Sequence, residues 1–370
     1  MDLELSDEQA WLTEAVETLL AREWRPAADA PYGNEAERGR LWRSLVGFGA
    51  LTVGGDEGLG AIELCLIARA LGAALAPVPY LGSAALRFAI QPLAGDVPTS
   101  VTKLCDRDDA VALAVLEPGS GWASAIPCTT IDTTATGDVL NGRKVGVEHA
   151  EAVEQLVVVA SAPDGPALAI VTSRAPGVAI APQPGFDATA PMYAIDFADV
   201  ELALDDIVAG PLARETLRRL ATSGALLAAA EAVGAAGRLL DDACRYAGER
   251  RQFGRTIGSF QALRHLMADM YVRQASSWSS ILYAAASLDE DAADAGRTAS
   301  IAKAYVSRAA REVAHGAMQV FGGIAVTAEH PAHRFLRRIV VREQQFGDAA
   351  HHERALGRSL AAAAVPEPVS

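Results

Sequence analysis

Lysine is nearly missing from this chain. Of its 32 basic residues, only Lys103, Lys144 and Lys303 are lysine. The acidic excess gives a net charge of −14, which excludes a nucleic-acid partner held by phosphate contacts. Cysteine is equally sparse. Cys65, Cys105, Cys128 and Cys244 stand apart, without the spacing of a zinc site or a redox pair. They read as reduced, buried thiols of a cytoplasmic protein. No apolar run has the length and purity of a membrane span: the richest, 225–232, is interrupted by Glu231. The opening Met1-Asp-Leu-Glu-Leu5 is acidic, unlike a signal or transit peptide. What remains is 370 residues, 51% of them apolar, enough for two or three domains.

The pattern of the chain changes twice. Residues 1–105 read as helical. Ser6-Asp-Glu-Gln9 is a capping box, followed at helical spacing by Trp11, Leu12, Val16, Leu19 and Leu20. The glycine-rich stretch 54–60 reads as a turn between helices, because no strand–helix unit surrounds it. Helices follow at 62–75 and 81–90, separated by Pro77 and Pro79. Residues 106–210 read as a small antiparallel β-domain. Valine-rich runs at 111–116, 156–160 and 167–172 are separated by turn residues, Asn141-Gly142 among them. Residues 211–370 return to helix, with long patterns at 225–247, 263–288, 297–320 and 350–363 that suit a four-helix bundle.

Two polar segments interrupt the bundle. Arg250-Arg-Gln-Phe-Gly-Arg-Thr-Ile-Gly-Ser-Phe-Gln261 offers guanidinium groups suited to a phosphate. Gln319-Val-Phe-Gly-Gly323 offers a backbone that a ligand can approach closely. Together with Leu116-Glu-Pro-Gly-Ser-Gly121 and the helix–β–bundle order, these segments resemble the acyl-CoA dehydrogenase family over almost the whole chain. The resemblance implies a mainly α fold with a middle antiparallel β-domain and a C-terminal four-helix bundle. It also implies flavin-dependent α,β-desaturation of an acyl-CoA thioester, with electrons passed to an electron-transfer flavoprotein. Arg250, Gln252, Phe253, Gln261, Gln319, Val320, Gly322 and Gly323 match the segments that hold the FAD of the neighbouring subunit.

Other parts of the family pattern are missing. The family's catalytic glutamate, counted without gaps from Gly322-Gly323, falls on Phe346, which cannot accept a proton. A gap brings Asp348 to that place. The alternative family position, on the helix before Arg250, falls on Gly224. Glu231 lies seven residues further on, nearly the same helical face, and is a candidate relocated base, a buried ion-pair partner for a bundle arginine, or a contact across a subunit interface. Beside the expected flavin ring, Gly146 replaces an aromatic residue, Glu148 a hydroxyl, and Leu116 a threonine.

The intact segments reach a neighbour's flavin, whereas the altered ones serve the chain's own. That asymmetry resembles the partner subunit of α2β2 acyl-CoA dehydrogenases that shorten steroid side chains. Two alternatives stand beside it: a self-sufficient homotetramer using Glu231 or Asp348, and a flavin-free acyl-CoA-binding or scaffold relative. No metal site is expected. His351-His352 diverge on a helix and read as a solvated helix start, and His330 and His333 lack further ligands. Arg334, Arg337, Arg338 and Arg342 form a basic stripe that reads as a salt-bridged bundle face, and 289–294 as a solvated loop.

Overall fold

A computed structural model describes residues 4–26, 32–54, 58–93, 95–106, 109–122, 127–135 and 137–364. Gly55, Asp56 and Glu57 of the glycine-rich turn and the tail from Pro366 lie outside the described residues. Helices α1 (Asp7–Glu23), α2 (Glu35–Gly47), α3 (Ala61–Ala74), α4 (Tyr80–Ile90) and α5 (Thr99–Asp106) come first. Eight strands follow: β1 (Val111–Ala114), β2 (Thr130–Thr134), β3 (Gly137–Glu148), β4 (Gln155–Ala162), β5 (Gly165–Thr172), β6 (Val178–Gln183), β7 (Met192–Leu202) and β8 (Ile207–Val208). The chain continues through α6 (Gly210–Glu249), a short hairpin of β9 (Arg251–Gln252) and β10 (Arg255–Thr256), and then α7 (Gln261–Asp289), α8 (Ala295–Phe321), α9 (Ala332–Gln344) and α10 (Ala349–Ala364). The fold is mainly α with one large β-sheet in the middle of the chain, as the sequence implies.

The chain divides into two compact units. One comprises Met1–Leu20, Ala61–Ala76 and Ala225–Ser370; the other comprises Ala21–Gly60 and Pro77–Gly224.

The first unit is helical. The capping box at its start forms as expected, with Gln9 N–H donating to Ser6 Oγ and Ser6 N–H to Gln9 Oε1. Leu12, Val16, Leu19 and Leu20 are buried, but Trp11 is 66% exposed, so the buried stripe begins one residue later than its spacing suggests. Helices α3 and α6 cross with almost no side chain between them. A methyl group on Gly72 would stand 2.0 Å from the Glu231 carbonyl, and one on Gly234 would stand 1.8 Å from the Arg69 carbonyl. Asp289, expected in a solvated loop, instead ends α7 and accepts the Ala61 and Ile62 N–H groups at the start of α3. Those donors have no partner within their own helix, so the carboxylate caps it. Besides the long helices of the bundle, α9 is a separate helix between the glycine pair and α10. Its polar loop and arginine stripe hide a strongly amphipathic pattern, with Phe335, Ile339 and Val341 buried.

Helix α6 corrects one exclusion. It is long and apolar enough to cross a membrane by length and composition, but 83% of its most apolar stretch is buried. The expected burial of the cysteines also fails in part. Cys65 is buried, Cys128 and Cys244 are exposed, and the Cys105 side chain lies outside the described residues.

The second unit carries the sheet, in the order β6-β7-β3-β2-β4-β5-β8. Its pairings are antiparallel except along β4, which β1 and one residue of β2 join in parallel. Pro182 is tolerated because β6 is an edge strand. Asn141-Gly142 is not a turn. It sits inside β3, where the register shifts between Leu140 and Gly142. Gly142 has φ 144°, and a methyl group there would lie 2.6 Å from Thr129 Cα, so the bulge requires glycine. The Asn141 side chain accepts the Asp199 N–H instead of closing a hairpin.

Gly234→Ala is expected to destabilise the protein by about 3 kcal/mol, because the new methyl meets backbone rather than a movable side chain. Gly357→Ala, where no atom lies within 4 Å, should be neutral or slightly stabilising. Denaturant unfolding of the two variants checks the contrast.

Candidate functional site

The polar segment after α6 folds as a tight hairpin. Its register pairs Arg255 with Gln252 and Thr256 with Arg251. Phe253 and Gly254 make the turn with φ 52° and 80°. Most of the arginines here are occupied. Arg251 donates to the Gly254 carbonyl, Arg264 to the Gly258 carbonyl, and Arg245 to Asp242. The Arg255 guanidinium lies over the Phe260 ring, 4.1 Å from its centroid. Arg250 differs: it is exposed, and among the described residues no hydrogen bond or ion pair engages its guanidinium. Phe253 is 93% exposed and meets Phe260 edge-on. An aromatic ring left so open by its own chain is costly unless something covers it.

The second segment ends α8. The Tyr246 and Phe321 rings pack 5.4 Å apart and bring this end close to the end of α6. Gly322 leaves the helix with φ 69° and ψ −146°, a conformation nearly restricted to glycine. Gly323 has no such obligation. Neither glycine has any atom within 4 Å of where a Cβ would sit, so space is open above both. Gln261, Gln319, Gly322 and Gly323 are exposed, whereas the Val320 side chain is 4% exposed. Val320 is therefore placed to offer only backbone, because its side chain belongs to the core.

Glu231 is buried, and both of its carboxylate oxygens face arginine. Arg338 donates to Oε1 at 2.5 Å, and Arg342 Nε lies 2.9 Å from Oε2, off the hydrogen-bond line. The arginine stripe thus splits, with Arg338 and Arg342 buried and Arg337 exposed. Asp348 caps α10, accepting the His351 N–H at 2.7 Å. Phe346, at the position counted for the family's base, is buried with φ 56°. His352 is also buried, against the expectation of a solvated helix start, and its Nε2 lies 3.0 Å from the Phe346 carbonyl. Asp348 rather than the histidine pair starts the helix, which turns His352 inward.

In the second unit, Glu117 ties a strand to two loops. Its carboxylate accepts from Lys144 Nζ at 2.7 Å, Cys128 N–H at 2.7 Å and Thr129 N–H at 2.8 Å. Burial opposes its charge, but these donors prevail and hold the carboxyl down to about 2. Lys144 has no exposed side-chain surface and also donates to the Val115 carbonyl. Leu116 and Gly146 lie side by side on this scaffold, Leu116 Cδ1 being 3.8 Å from where a Gly146 Cβ would sit. The Gly146 N–H is already spent on Gln183 Oε1 at 2.9 Å. The same unit has an open cleft of about 1230 Å³ lined by Trp42, Tyr193, Arg38, Arg43 and Glu151. Sequence reading had no signal for it, since its lining comes from five separate segments.

The family description "Acyl-CoA dehydrogenase, C-terminal domain" matches residues 216–361. Acyl-CoA dehydrogenase IpdE2 of Mycobacterium tuberculosis is 30% identical over 341 residues, 90% of this chain and 91% of that relative. The chain belongs to the acyl-CoA dehydrogenase family. Among solved structures, the ChsE4–ChsE5 complex of M. tuberculosis contains a chain with TM-score 0.84 and 26% identity, matched over 99% of this chain and 100% of that one. A variant of the Tcur3481–Tcur3483 steroid ACAD gives TM-score 0.82 and 26% identity, over 97% and 99%. The acyl-CoA dehydrogenases are flavin oxidoreductases acting on acyl-CoA.

For an acyl-CoA dehydrogenase the residues fit a flavin nucleotide unevenly. The unspent Arg250 guanidinium and the open space over Gly322 and Gly323 suit a diphosphate and its close approach to backbone. At Gly146 the fit fails, because its N–H is taken and a glycine offers no side chain of its own to pack against a ring. The Glu117–Lys144 pair and His352 escaped sequence reading. The pair had a signal in the Glu-Pro-Gly loop and in Lys144 following Asn-Gly-Arg. His352 had none beyond its place near a capping residue.

Removing the Glu231 carboxylate deprives two buried guanidinium groups of the anion they share. Glu231→Ala should therefore lose about 3–5 kcal/mol of stability, read by denaturant unfolding. Glu117 gives a pH signature. Its folded value, about 2, lies below the ordinary 4.5, so its contribution is full above pH 4.5 and is lost as pH falls towards 2. The loss should be about 3 kcal/mol, and Glu117→Gln should flatten the stability curve over that window.

Proposed function

We propose that this chain is the partner subunit of a heteromeric, FAD-dependent acyl-CoA dehydrogenase, giving the outer half of the FAD site to a catalytic sister subunit. The observation that carries this reading is the contrast at Arg250 and Glu231: the guanidinium suited to a cofactor phosphate is exposed and unengaged among the described residues, and the carboxylate suited to a base is engaged twice. Arg250, Gln252, Phe253, Gln261, Gln319, Gly322, Gly323 and the Val320 backbone would hold the sister subunit's adenine and diphosphate half. When bound, flavin accepts the substrate's β-hydrogen as hydride while a carboxylate removes the α-proton. This chain's contribution is to bind and orient. Arg250 neutralises phosphate, the glycine pair admits the ligand to backbone N–H groups, and Phe253 covers an apolar face of it.

Neither internal base candidate is supported. Glu231 would have to abandon two arginines to take a proton, and Asp348 would have to abandon the start of α10. Phe346 fills the remaining position. The likeness to a steroid ACAD and to a two-chain complex supports a sister acyl-CoA dehydrogenase in an α2β2 assembly and a bulky, steroid-like acyl-CoA. An electron-transfer flavoprotein as acceptor, a cytoplasmic location and the three-part division at 1–105, 106–210 and 211–370 complete the proposal.

Purifying the chain alone and with a co-expressed sister subunit tests it. Flavin absorbance is expected only in the second preparation. A yellow, active homotetramer of this chain alone would favour a self-sufficient enzyme, and colourless preparations in both cases a flavin-free scaffold. In the assembled enzyme, Arg250→Ala should weaken FAD retention by about 1.5–3 kcal/mol, roughly ten- to a hundredfold in affinity. Unchanged flavin affinity would remove Arg250 from the site.

A further inference from the structure

The turn at 345–348 holds a buried aromatic residue in a backbone conformation that such residues avoid. Phe346 has φ 56° and Gly347 has φ 98°. A left-handed phenylalanine persists only where its surroundings over-determine it. Here every residue of the turn is tied or crowded. Arg342 Nη1 donates to Gln345 Oε1 at 2.5 Å. His352 Nε2 donates to the Phe346 carbonyl at 3.0 Å. A methyl group on Gly347 would lie 2.5 Å from His351 Cδ2, and Asp348 caps α10 through the His351 N–H.

Of these ties, the histidine is the one that a proton can change. With Nε2–H donating to a carbonyl, Nδ1 carries the lone pair, and that buried nitrogen has no hydrogen-bond partner among the described residues. A second proton would therefore sit on a buried, unsatisfied nitrogen. Charged groups face it from each neighbouring element. Helix α8 contributes Lys303, whose Nζ donates to the Arg342 carbonyl. Helix α9 contributes Arg342, paired with Glu231, and Glu343, paired with Arg311 at 3.3 Å. Glu343 Oε2 is also unsatisfied, so it does not reach His352. The turn contributes Asp348, already capping, and α10 contributes His351, its ring centroid 5.0 Å from that of His352. Burial first, and the Lys303 ammonium second, hold the His352 imidazole down to about 4. Burial likewise holds Lys303 down to about 7, so the neighbouring cation itself strengthens as pH falls through neutrality.

We propose that the 345–348 turn is a proton-operated latch on α10, held shut by neutral His352 and released when that ring takes up a second proton. The imidazolium is accommodated only by swinging to water, which breaks its bond to the Phe346 carbonyl. Freed of that bond, the left-handed turn relaxes and the first turn of α10 loosens with it. This inference is independent of the flavin reading.

Hydrogen exchange of amides 346–353 in the full chain, corrected for intrinsic rates, tests the latch. Protection should fall about thirtyfold between pH 7.5 and 5.0, the ratio set by titration at about 4 when closed and about 6.5 when open. His352→Gln, which keeps a donor for the carbonyl, should abolish the pH response, and His351→Gln should retain it. Unchanged wild-type protection, or an equal fall in His352→Gln, would overturn the proposal. Should His352→Gln fail to fold, NMR titration of the wild-type histidines decides. Release of α10 in step with His352 protonation supports the latch; ordinary titration of His352 with α10 still protected sinks it.

Discussion

The helical unit turns on one carboxylate. Glu231 projects from an otherwise apolar stretch of α6 and binds two arginines one helical turn apart on α9. A buried ion pair of this kind adds little stability over well-packed apolar residues, but breaking one side of it is severe. Its value lies in register. With Arg338 and Arg342 both fixed, α9 can neither slide nor rotate against α6. Arg342 then extends the order, through its side chain to Gln345 and through its carbonyl to Lys303. The turn before α10 is therefore set from α6, more than a hundred residues earlier in the chain.

The same interaction separates structure from chemistry. A buried glutamate in an acyl-CoA dehydrogenase bundle invites reading as a base. Its two guanidinium partners face both carboxylate oxygens, and Phe346 occupies the other candidate position. The groups that remain unspent lie at the surface, on the hairpin after α6 and at the end of α8. An occupied interior beside an open rim is the arrangement that the proposed partner-subunit role requires.

Much of this was legible in the sequence. The helices α6, α7, α8 and α10 announce themselves by long apolar periodicity, and the hairpin by its run of Arg, Gly and Phe. The ion-pair reading of Glu231 needed only an acidic residue in an alanine-rich helix and a basic stripe at helical spacing downstream. What could not be read is what depends on distant pairing. Asn141-Gly142 has the composition of a tight turn, yet β2 and β7 flank it and absorb it as a bulge. Helix α9 was hidden because its buried face is built partly of arginines, which periodicity counts as polar. His352 looked solvated because the residue that caps α10 sits outside the histidine pair, and a shift of a few positions at a helix start rotates every side chain after it.

The scarcity of lysine acquires a practical meaning once the three are placed. Lys144 is sealed beneath Glu117, and Lys303 is buried on α8 with its ammonium on the Arg342 carbonyl near the end of α9. Only Lys103 is exposed. Amine-directed reagents thus meet a single side chain on the native protein, and acylation of either other lysine reports unfolding. The chain carries a single accessible lysine for conjugation or cross-linking, and two concealed lysine amines that count the molecules whose cores have opened.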